Sequence, residues 1–490
     1  MRTVTGPTGH VVVVGAGLAG LSAALHLAGR GRRVTVVERD PGPGGRTGRV
    51  VTGGYHLDTG PTVLTMPSIL ADVFAAAGAD LADHLRLTRL DPAYTARFAD
   101  GSVLPVHADE ERMTDAVRAF AGPDEAAGYR RLREWLTRLY AAEFDRFVAA
   151  NIDSPLGLLS TDLARLVALG GFRRLDRKIG TFLRDERLKR VFTFQALYAG
   201  ESPMRALALY AVISYLDTVG GVYFPEGGMA AVPRAMAAVA EAAGVEFRYG
   251  EAVTALERRG ARITAVRTTG GRTPCDAVVL TTEPPESYRL LGRAPRRPIP
   301  LRPAPSAVVL HTGGPGDWPV GHHTISFGHG WASTFRELIT EGSPMSDPSL
   351  LITRPTATDP GLAPAGRQLF SILAPVPNLR RGPRDWDAEA EPYAKEILDR
   401  VRADLLPGFE PEAWHVLGPN DWARRGMVAG TPFSYAHSFV QTGPFRPRNL
   451  PPGTENAVLA GGGTVPGVGV PTVLLSGRLA ADRITGEPGR

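Results

Sequence analysis

Two glycine-rich segments lie at opposite ends of this 490-residue chain, and they constrain its fold more than any other feature. Residues 11–20 read VVVVGAGLAG, and residues 456–470 read NAVLAGGGTVPGVGV. Each pattern is typical of an apolar strand that leads into a tight turn and then a helix. More than 400 residues separate the two segments. We predict that the head and the tail of the chain fold together as one clamp around a ligand.

The first turn carries the spacing of a dinucleotide-binding loop. Gly15, Gly17 and Gly20 form G-x-G-x-x-G between a predicted strand and a predicted helix. In such a loop the glycines permit the turn, the approach of a pyrophosphate and close helix–strand packing, respectively. Glu38 ends the next predicted strand, 23 residues after Gly15, where a carboxylate can bind a ribose diol. An acid at that position argues against the 2′-phosphate of NADP.

Bulk composition narrows the class of protein. A length of 490 residues exceeds one ordinary core and predicts two domains, and 43% apolar with 21% charged residues is normal for a globular protein. The single cysteine, Cys275, excludes an internal disulfide framework. The net charge of +5 comes without a long basic run or a nucleic-acid module, which argues against DNA or RNA binding. Two explanations of the positive charge stay open: GC-rich codon usage, and attraction to an anionic membrane.

The order of strand and helix patterns along the chain predicts an α/β protein with a discontinuous Rossmann-like nucleotide-binding domain, an α+β substrate domain and a helical insertion. The predicted parts are 1–110, 221–290 and 421–490 for the nucleotide-binding domain, 111–220 for the insertion, and 291–420 for the substrate domain. The predicted strands are 11–14, 33–38, 245–248 and 276–281, a hairpin joins 252–256 to 262–268, and helices cover 18–29, 232–243, 392–405 and 471–484.

Further motifs favour FAD over NAD. Residues 44–47 (GGRT) would place the cation of Arg46 against the pyrophosphate, and residues 58–61 (DTGP) form another loop near the cofactor. With these segments the chain resembles the phytoene desaturase type of flavin-dependent carotenoid desaturases, within the amine-oxidase-like flavoproteins. The resemblance covers nearly the whole chain, in residues 12–20, 44–47, 57–66, 222–229, 276–279, 322–328, 354–359, 373–379 and 461–471.

The resemblance implies FAD, with its ring facing a long apolar tunnel, and the introduction of C=C bonds into a linear polyisoprenoid such as phytoene. The flavin would take a hydride while a proton leaves the adjacent carbon. The N-terminus of the last helix would stabilise the reduced ring. The predicted cofactor-binding residues are Gly15, Gly17, Leu18, Ala19, Gly20, Glu38, Arg39, Gly45, Arg46, Thr59, Gly60, Pro61, Val253, Gly462, Gly463, Gly469 and Val470.

No catalytic base stands out in the sequence. His322 and His323 lie in a motif that the family shares, and a structural or substrate-lining role is favoured for them. They have no third partner with metal-ligand spacing, so no metal site is predicted. Glu226 and Asp217 are more typical of hydrogen-bonding loop residues than of bases.

A long hydrocarbon substrate is almost insoluble in water and resides in a membrane. We therefore expect a cytoplasmic protein that is attached peripherally to a membrane, with the helical insertion at the tunnel mouth. Oxygen or a quinone would take up the electrons. Three alternatives stay open: another carotenoid-modifying flavoenzyme (a hydroxy- or methoxycarotenoid desaturase, a C30 diapophytoene desaturase or a carotenoid oxidase), a flavin amine oxidase, and a non-catalytic flavin- or polyisoprenoid-binding protein. The amine oxidase is disfavoured because no lysine follows Lys395 and residues 456–471 contain no aromatic side chain.

Overall fold

The computed structural model describes residues 1–154 and 158–486. The strands are β1 (His10–Val14), β2 (Arg33–Val37), β3 (Arg49–Thr52), β4 (Tyr55–Asp58), β5 (Leu87–Arg89), β6 (Tyr94–Phe98), β7 (Val103–Val106), β8 (Tyr223–Pro225), β9 (Glu246–Arg248), β10 (Val253–Arg259), β11 (Arg262–Thr268), β12 (Gly271–Pro274), β13 (Ala277–Leu280), β14 (Ser306–Pro315), β15 (His323–Phe327), β16 (Leu350–Thr353), β17 (Arg367–Val376), β18 (Ala413–Leu417) and β19 (Ala457–Leu459). The helices are α1 (Leu18–Gly29), α2 (Pro67–Ala75), α3 (Glu110–Ala121), α4 (Pro123–Glu143), α5 (Thr161–Ala168), α6 (Leu175–Ile179), α7 (Glu186–Val191), α8 (Ala211–Tyr215), α9 (Ala231–Ala242), α10 (Pro284–Leu290), α11 (Ala332–Arg336), α12 (Trp386–Asp404), α13 (Pro419–Arg424) and α14 (Val470–Thr485).

A five-stranded parallel sheet joins the two ends of the chain. Its strand order is β19-β13-β1-β2-β9, so the last strand lies two positions from the first. The valines of β1 are fully or almost fully buried, which is what a parallel sheet covered on both faces requires. Helices α1 and α14 pack side by side: Ser22 Oγ donates to Leu474 O at 2.7 Å, and a Cβ at Gly477 would lie 2.4 Å from Ala19 O. The predicted clamp of head and tail is confirmed, as is the Rossmann-like α/β class.

A second sheet of seven strands has the order β18-β14-β17-β16-β15-β6-β7, and α12 covers one face with the buried side chains of Trp386 and Ile397. Its strands are antiparallel apart from the pair β6–β15. Strands β6 and β7 come from the segment that the sequence assigned to the nucleotide-binding domain. The chain therefore enters the second sheet before residue 110, because β6 is recruited by a strand more than 200 residues away. The other domain boundaries stay predictions.

The region between the first two segments of the parallel-sheet layer is helical, as predicted. Helices α3 to α8 occupy it, and no strand lies within residues 110–154 or 158–220. Its aromatic residues form the core of this region: Tyr129 and Phe192 lie with ring centroids 5.8 Å apart, and both are buried. Among all helices of the described residues, none has the length and apolar character that crossing a bilayer demands.

One predicted helix begins earlier than expected. The sequence placed its start at Pro392, and proline is common in the first turn of a helix. In the structure α12 begins at Trp386, and Asp385 caps it by accepting the Ala388 N–H at 3.4 Å. Pro392 then lies inside the helix. The buried ring of Trp386 anchors the extra turns to the second sheet, and this tertiary contact outweighs the local proline signal.

Candidate active site

One continuous cavity of about 1990 Å³ is lined by residues from both ends and from the middle of the chain. Its volume exceeds the 300–1,000 Å³ of typical small-molecule sites, so it has room for a dinucleotide and a second ligand. We call the wall around Gly17, Glu38 and Gly462 the cofactor end. We call the wall formed by lining residues within 143–154 and 158–217 the helical end, and side chains of the second sheet such as Leu373 line the same cavity.

The glycines of the first turn have different roles. Gly15 has φ +106°, and a Cβ there would lie 2.3 Å from Thr281 Oγ1. A Cβ at Gly20 would lie 1.9 Å from Gly15 O, so this glycine is required by helix–strand packing. At Gly17 the nearest atom to a Cβ is the Gly45 Cα at 3.9 Å, an ordinary contact. The protein itself leaves space at Gly17, as a pyrophosphate cradle does.

The phosphate cradle is completed by uncapped helix N-termini. Gly17 at the start of α1 and Gly469 at the start of α14 supply no side-chain cap, so the first N–H groups of both helices can bind an anion or an electron-rich ring edge. Both residues line the cavity, and Gly469 has φ +125°. These features fit the phosphates and the flavin of FAD.

Glu38 is buried beside this cradle and shapes it. Its Oε2 accepts the Ala16 N–H at 2.7 Å, and its Oε1 accepts the Asp40 N–H at 2.9 Å. An ionised carboxylate has about four lone-pair sites, so acceptor capacity remains for a ribose diol. Arg39 lies at the edge of the cavity, where it donates to Arg425 O at 2.6 Å.

Arg46 is partly neutralised by an acid that the sequence analysis missed. It forms an ion pair with Glu283, whose second carboxylate oxygen accepts from Ser434 Oγ at 2.8 Å. The Nε of Arg46 is buried and has no partner in the described parts of the chain, so it can still donate to a ligand. Glu283 follows β13 at the carboxyl edge of the parallel sheet, where this class of fold binds ligands, and that position is the signal that could have identified it.

The C-terminal glycine loop is held from behind by a second missed residue, Arg446. This fully buried side chain donates to Gly462 O at 2.8 Å and to Thr464 O at 3.1 Å. Burial lowers the pKa of Arg446 to about 10, so it stays charged at neutral pH. Ser476 adds a further tie, since its Oγ donates to Val465 O at 2.8 Å. The loop is thus fixed with its other face toward the cavity.

The structure brings most of the predicted cofactor residues together in the cavity wall. Those that line it are Gly15, Gly17, Leu18, Ala19, Glu38, Arg39, Gly45, Arg46, Thr59, Gly60, Pro61, Val253, Gly462, Gly469 and Val470. Gly20 and Gly463 lie outside the lining, and a Cβ at Gly463 would be 2.3 Å from the Pro284 Cδ. At both positions glycine is required by close packing behind the cavity wall. Contacts of individual residues with FAD stay predictions.

The weak catalytic candidates separate in the structure. His323 lines the cavity, with its Nδ1 3.0 Å from Thr353 Oγ1, whereas His322 lies behind the lining, with its Nδ1 2.7 Å from Thr358 Oγ1. Burial lowers the pKa of His322 to about 3 and that of His323 well below its usual value, so both rings are neutral at physiological pH. Glu226 is exposed outside the cavity, 3.6 Å from Arg86. Its position is unsuited to catalysis.

Two buried carboxyl groups lie at the helical end. Asp217 accepts a single long hydrogen bond from Gln195 Nε2 at 3.4 Å, and burial raises its pKa to about 7. Glu143 has no partner for Oε2 among the described residues, and burial raises its pKa to about 8. Asp217 was undervalued from the sequence and Glu143 was missed. For Asp217 the available signal was an acid that follows the apolar and aromatic residues 208–216.

Three exposed aromatic side chains surround an opening of the cavity. Phe172, Phe439 and Phe445 are 40%, 54% and 44% exposed, and all three also line the cavity. The ring centroids of Phe172 and Phe439 are 6.4 Å apart, and those of Phe439 and Phe445 are 6.2 Å apart. We call these residues the aromatic rim. Arg173 and Arg174 directly follow Phe172 and are exposed.

Comparison with known proteins agrees with this geometry. Residues 18–485 match the family of flavin containing amine oxidoreductases. A phytoene dehydrogenase of Streptomyces griseus is 62% identical over 99% of this chain and 97% of its own length. A zeta-carotene-forming phytoene desaturase of Myxococcus xanthus is 33% identical over 97% and 93%, respectively.

Solved structures share the fold at low sequence identity. An oxidoreductase from Methanosarcina mazei has a TM-score of 0.62 at 17% identity, covering 96% of this chain and 98% of its own. A triple mutant of putrescine oxidase has a TM-score of 0.61 at 17% identity, covering 98% and 100%. The family match and the 62% identical relative show to which family this chain belongs. It belongs to the flavin-containing amine oxidoreductases, as a member of their phytoene desaturase type.

Proposed function

We propose that this protein is an FAD-dependent desaturase that introduces C=C bonds into a linear carotenoid precursor such as phytoene. The observation that carries the proposal is the single cavity, which joins a dinucleotide cradle to a long apolar chamber. The 62% identity to a phytoene dehydrogenase supports the same substrate class. An amine oxidase is disfavoured because most of the side chains that line the helical end are apolar.

Bound FAD supplies the acceptor for a hydride from the substrate. The chain itself orients the polyene and excludes water. Val309 and Leu373 of the second sheet line the same cavity as Leu209, Ile213 and Leu216 of the helical end. A hydrocarbon held between these walls has few orientations, and a water-free chamber protects the reacting carbons.

Desaturation also releases a proton from the carbon next to the one that loses the hydride. We assign its acceptor to a carboxylate oxygen of Asp217, which lines the cavity and is 8% exposed. With a pKa of about 7, a substantial fraction of the carboxyl is ionised at neutral pH and can take up a proton. His322 and Glu226, weighed for this role from the sequence, lie outside the cavity lining.

A substrate of this kind resides in membranes, so the entrance must meet a bilayer. We assign that contact to the aromatic rim, where exposed phenyl rings can enter the interface while Arg173 and Arg174 face anionic headgroups. Peripheral attachment on the cytoplasmic side follows. The electrons leave to dioxygen or to a quinone.

The decisive experiment has two parts. Expression in cells that accumulate phytoene should turn the extracted pigment coloured, and a colourless extract would contradict the assignment. With purified protein, anaerobic addition of phytoene should bleach the flavin absorbance. Bleaching by benzylamine instead would indicate an amine oxidase. Bound flavin that no polyene bleaches would indicate a carrier, and a preference for C30 or oxygenated polyenes would indicate another carotenoid-modifying enzyme.

A further inference from the structure

Three side chains that line the cavity have a buried polar atom with no well-oriented hydrogen-bond partner in the described parts of the chain. They are Glu143 with Oε2, Tyr210 with its hydroxyl, which has the Thr442 side chain nearby, and His437 with Nε2. Glu143 and Tyr210 are only 7% and 6% exposed, and the Nε2 of His437 is shielded from solvent although the residue is partly exposed. Buried polar atoms are nearly always paired, so three unpaired ones in one wall need an explanation.

The three residues form one cluster between the helical end and the C-terminal glycine loop. Glu143 ends α4, which packs on α8, and Tyr210 directly precedes α8. The rings of Tyr210 and His437 meet edge to face, with centroids 5.8 Å apart. His437 in turn packs on Gly467, where a Cβ would lie 2.1 Å from its Cε1. The cluster therefore lies beside the loop predicted to meet the flavin ring.

Near pH 7 the cluster is uncharged and rich in donors. Burial raises the pKa of Glu143 to about 8, raises that of Tyr210 and lowers that of His437. A neutral carboxyl, a phenol and a neutral imidazole can together donate to a carbonyl or hydroxyl oxygen. A pure hydrocarbon has no hydrogen-bond acceptor for these groups, so its binding would leave desolvated donors unpaired.

Two other buried atoms of the same wall also lack a partner in the described parts of the chain: Arg46 Nε at the cofactor end and His323 Nε2 on the second sheet. Tyr94, by contrast, donates its hydroxyl to Val191 O at 3.4 Å. Three of these five atoms belong to Glu143, Tyr210 and His437, where a ligand would pass the glycine loop.

We propose that Glu143, Tyr210 and His437 form a subsite for the oxygen atom of an isoprenoid ligand whose remainder is apolar. This ligand is distinct from the hydrocarbon substrate of the proposed desaturation. The inference rests on the proposed function in one respect only, that the chamber accommodates an isoprenoid chain. Two sources share the chemistry: an isoprenoid quinone, which has carbonyl groups, and a linear carotenoid with a hydroxyl or keto group.

Binding to the FAD-loaded full chain in detergent micelles tests the proposal. Three probes are titrated and their Kd values measured: a naphthoquinone with a short isoprenoid tail, a hydroxylated linear carotenoid, and phytoene. In Tyr210→Phe we expect the Kd of the cognate oxygenated probe to rise about tenfold and that of phytoene to change less than twofold. A rise for the quinone identifies an electron acceptor, and a rise for the carotenoid identifies an oxygenated substrate.

Tyr94→Phe is the matched control, since it removes a partnered hydroxyl from the same wall. Glu143→Met, which keeps the approximate length of the side chain and removes both oxygens, serves as the second variant if Tyr210→Phe folds poorly. Unchanged Kd values for both oxygenated probes would overturn the proposal. A shifted flavin spectrum or lost FAD in the variants before any probe is added would also overturn it, because the cluster would then serve the cofactor. Failure of phytoene to bleach the wild-type flavin concerns the desaturase assignment alone.

Discussion

The two ends of the cavity differ in how far the protein satisfies its own polar groups. At the cofactor end, Glu38 holds two backbone N–H groups, Glu283 holds Arg46, and Arg446 holds the carbonyls of the C-terminal loop. At the helical end, Asp217 has one long hydrogen bond and Glu143 has an unpaired oxygen. The first end is a rigid template for a cofactor that stays. The second contains buried acids with incomplete hydrogen bonding, which cost stability, and such violations are typical of functional sites.

The largest effect that tests this contrast is expected from Gly17→Val. The protein leaves ordinary space at this position, so the fold should tolerate the side chain while the pyrophosphate cannot approach. We expect the purified variant to retain its circular dichroism spectrum but carry less than about a tenth of the wild-type FAD, a loss of affinity of at least tenfold. Flavin absorbance per protein measures the result.

Gly321→Val provides the control for Gly17→Val. A Cβ at Gly321 has no neighbour within 4 Å, and the residue lies outside the cavity lining. It should keep full flavin. Stoichiometric FAD in Gly17→Val would show that the cradle has been placed on the wrong loop, whereas loss of folding would show that the cofactor end lacks the assumed room.

Asp217→Asn should separate catalysis from stability at the helical end. Loss of a proton acceptor typically lowers a rate by 10²–10⁴, so we expect kcat to fall about 100-fold with FAD retained. In the wild type, kcat should rise with pH through about 7, where the carboxyl ionises, and the variant should lose this rise. Steady-state rates between pH 6 and 9 measure both effects.

The same substitution should raise stability at higher pH. Burial raises the pKa of Asp217 from 3.8 to about 7, so the folded state retains a proton that the unfolded chain releases in that window. The contribution of Asp217 to stability therefore falls as pH rises from about 4 to 7. At pH 8 we expect Asp217→Asn to melt ~1–3 °C above the wild type. Glu226→Gln, on the surface, should change neither quantity, and an equal loss of kcat there would refute the division of roles.

The sequence predicts those features of the two ends that depend on neighbouring residues. It does not predict those that depend on contacts formed only in the folded protein. Helix α1 was predicted with its observed bounds, Leu18–Gly29, because a glycine turn and apolar periodicity are local. Arg446 was missed because its burial against carbonyls 16 and 18 residues away cannot be read from the sequence. Glu283 was missed because its partner Arg46 lies 237 residues away. No local pattern marks such a pair. Likewise, nothing within Tyr94–Phe98 indicates that β6 pairs with the distant β15.

The helical end was predicted in kind but not in detail for a related reason. Its apolar and aromatic content indicated a helical, substrate-lining region. Which acids are buried there depends on how α4, α8 and the C-terminal loop come together, and this is a tertiary outcome. Asp217 was noted in the sequence and set aside, because an acid in such a position is more often a hydrogen-bonding loop residue than a base. Burial, which the sequence does not show, changes its chemistry.

The smallest effect concerns the entrance to the helical end. Replacing Phe172 and Phe439 by serine removes two exposed rings from the aromatic rim, and burying such a side chain in an apolar phase contributes about 1.5–3 kcal/mol when complete. Partial insertion should thus make binding to vesicles containing anionic lipid about tenfold weaker, as measured by co-sedimentation. Val51→Ser, at an exposed position on β3 away from the cavity, should bind as the wild type does. If the double variant also binds normally, the rim is only a mouth for the substrate, and membrane contact lies on another face. If it loses FAD as well, the two ends of the cavity are coupled, and the contrast drawn between them is wrong.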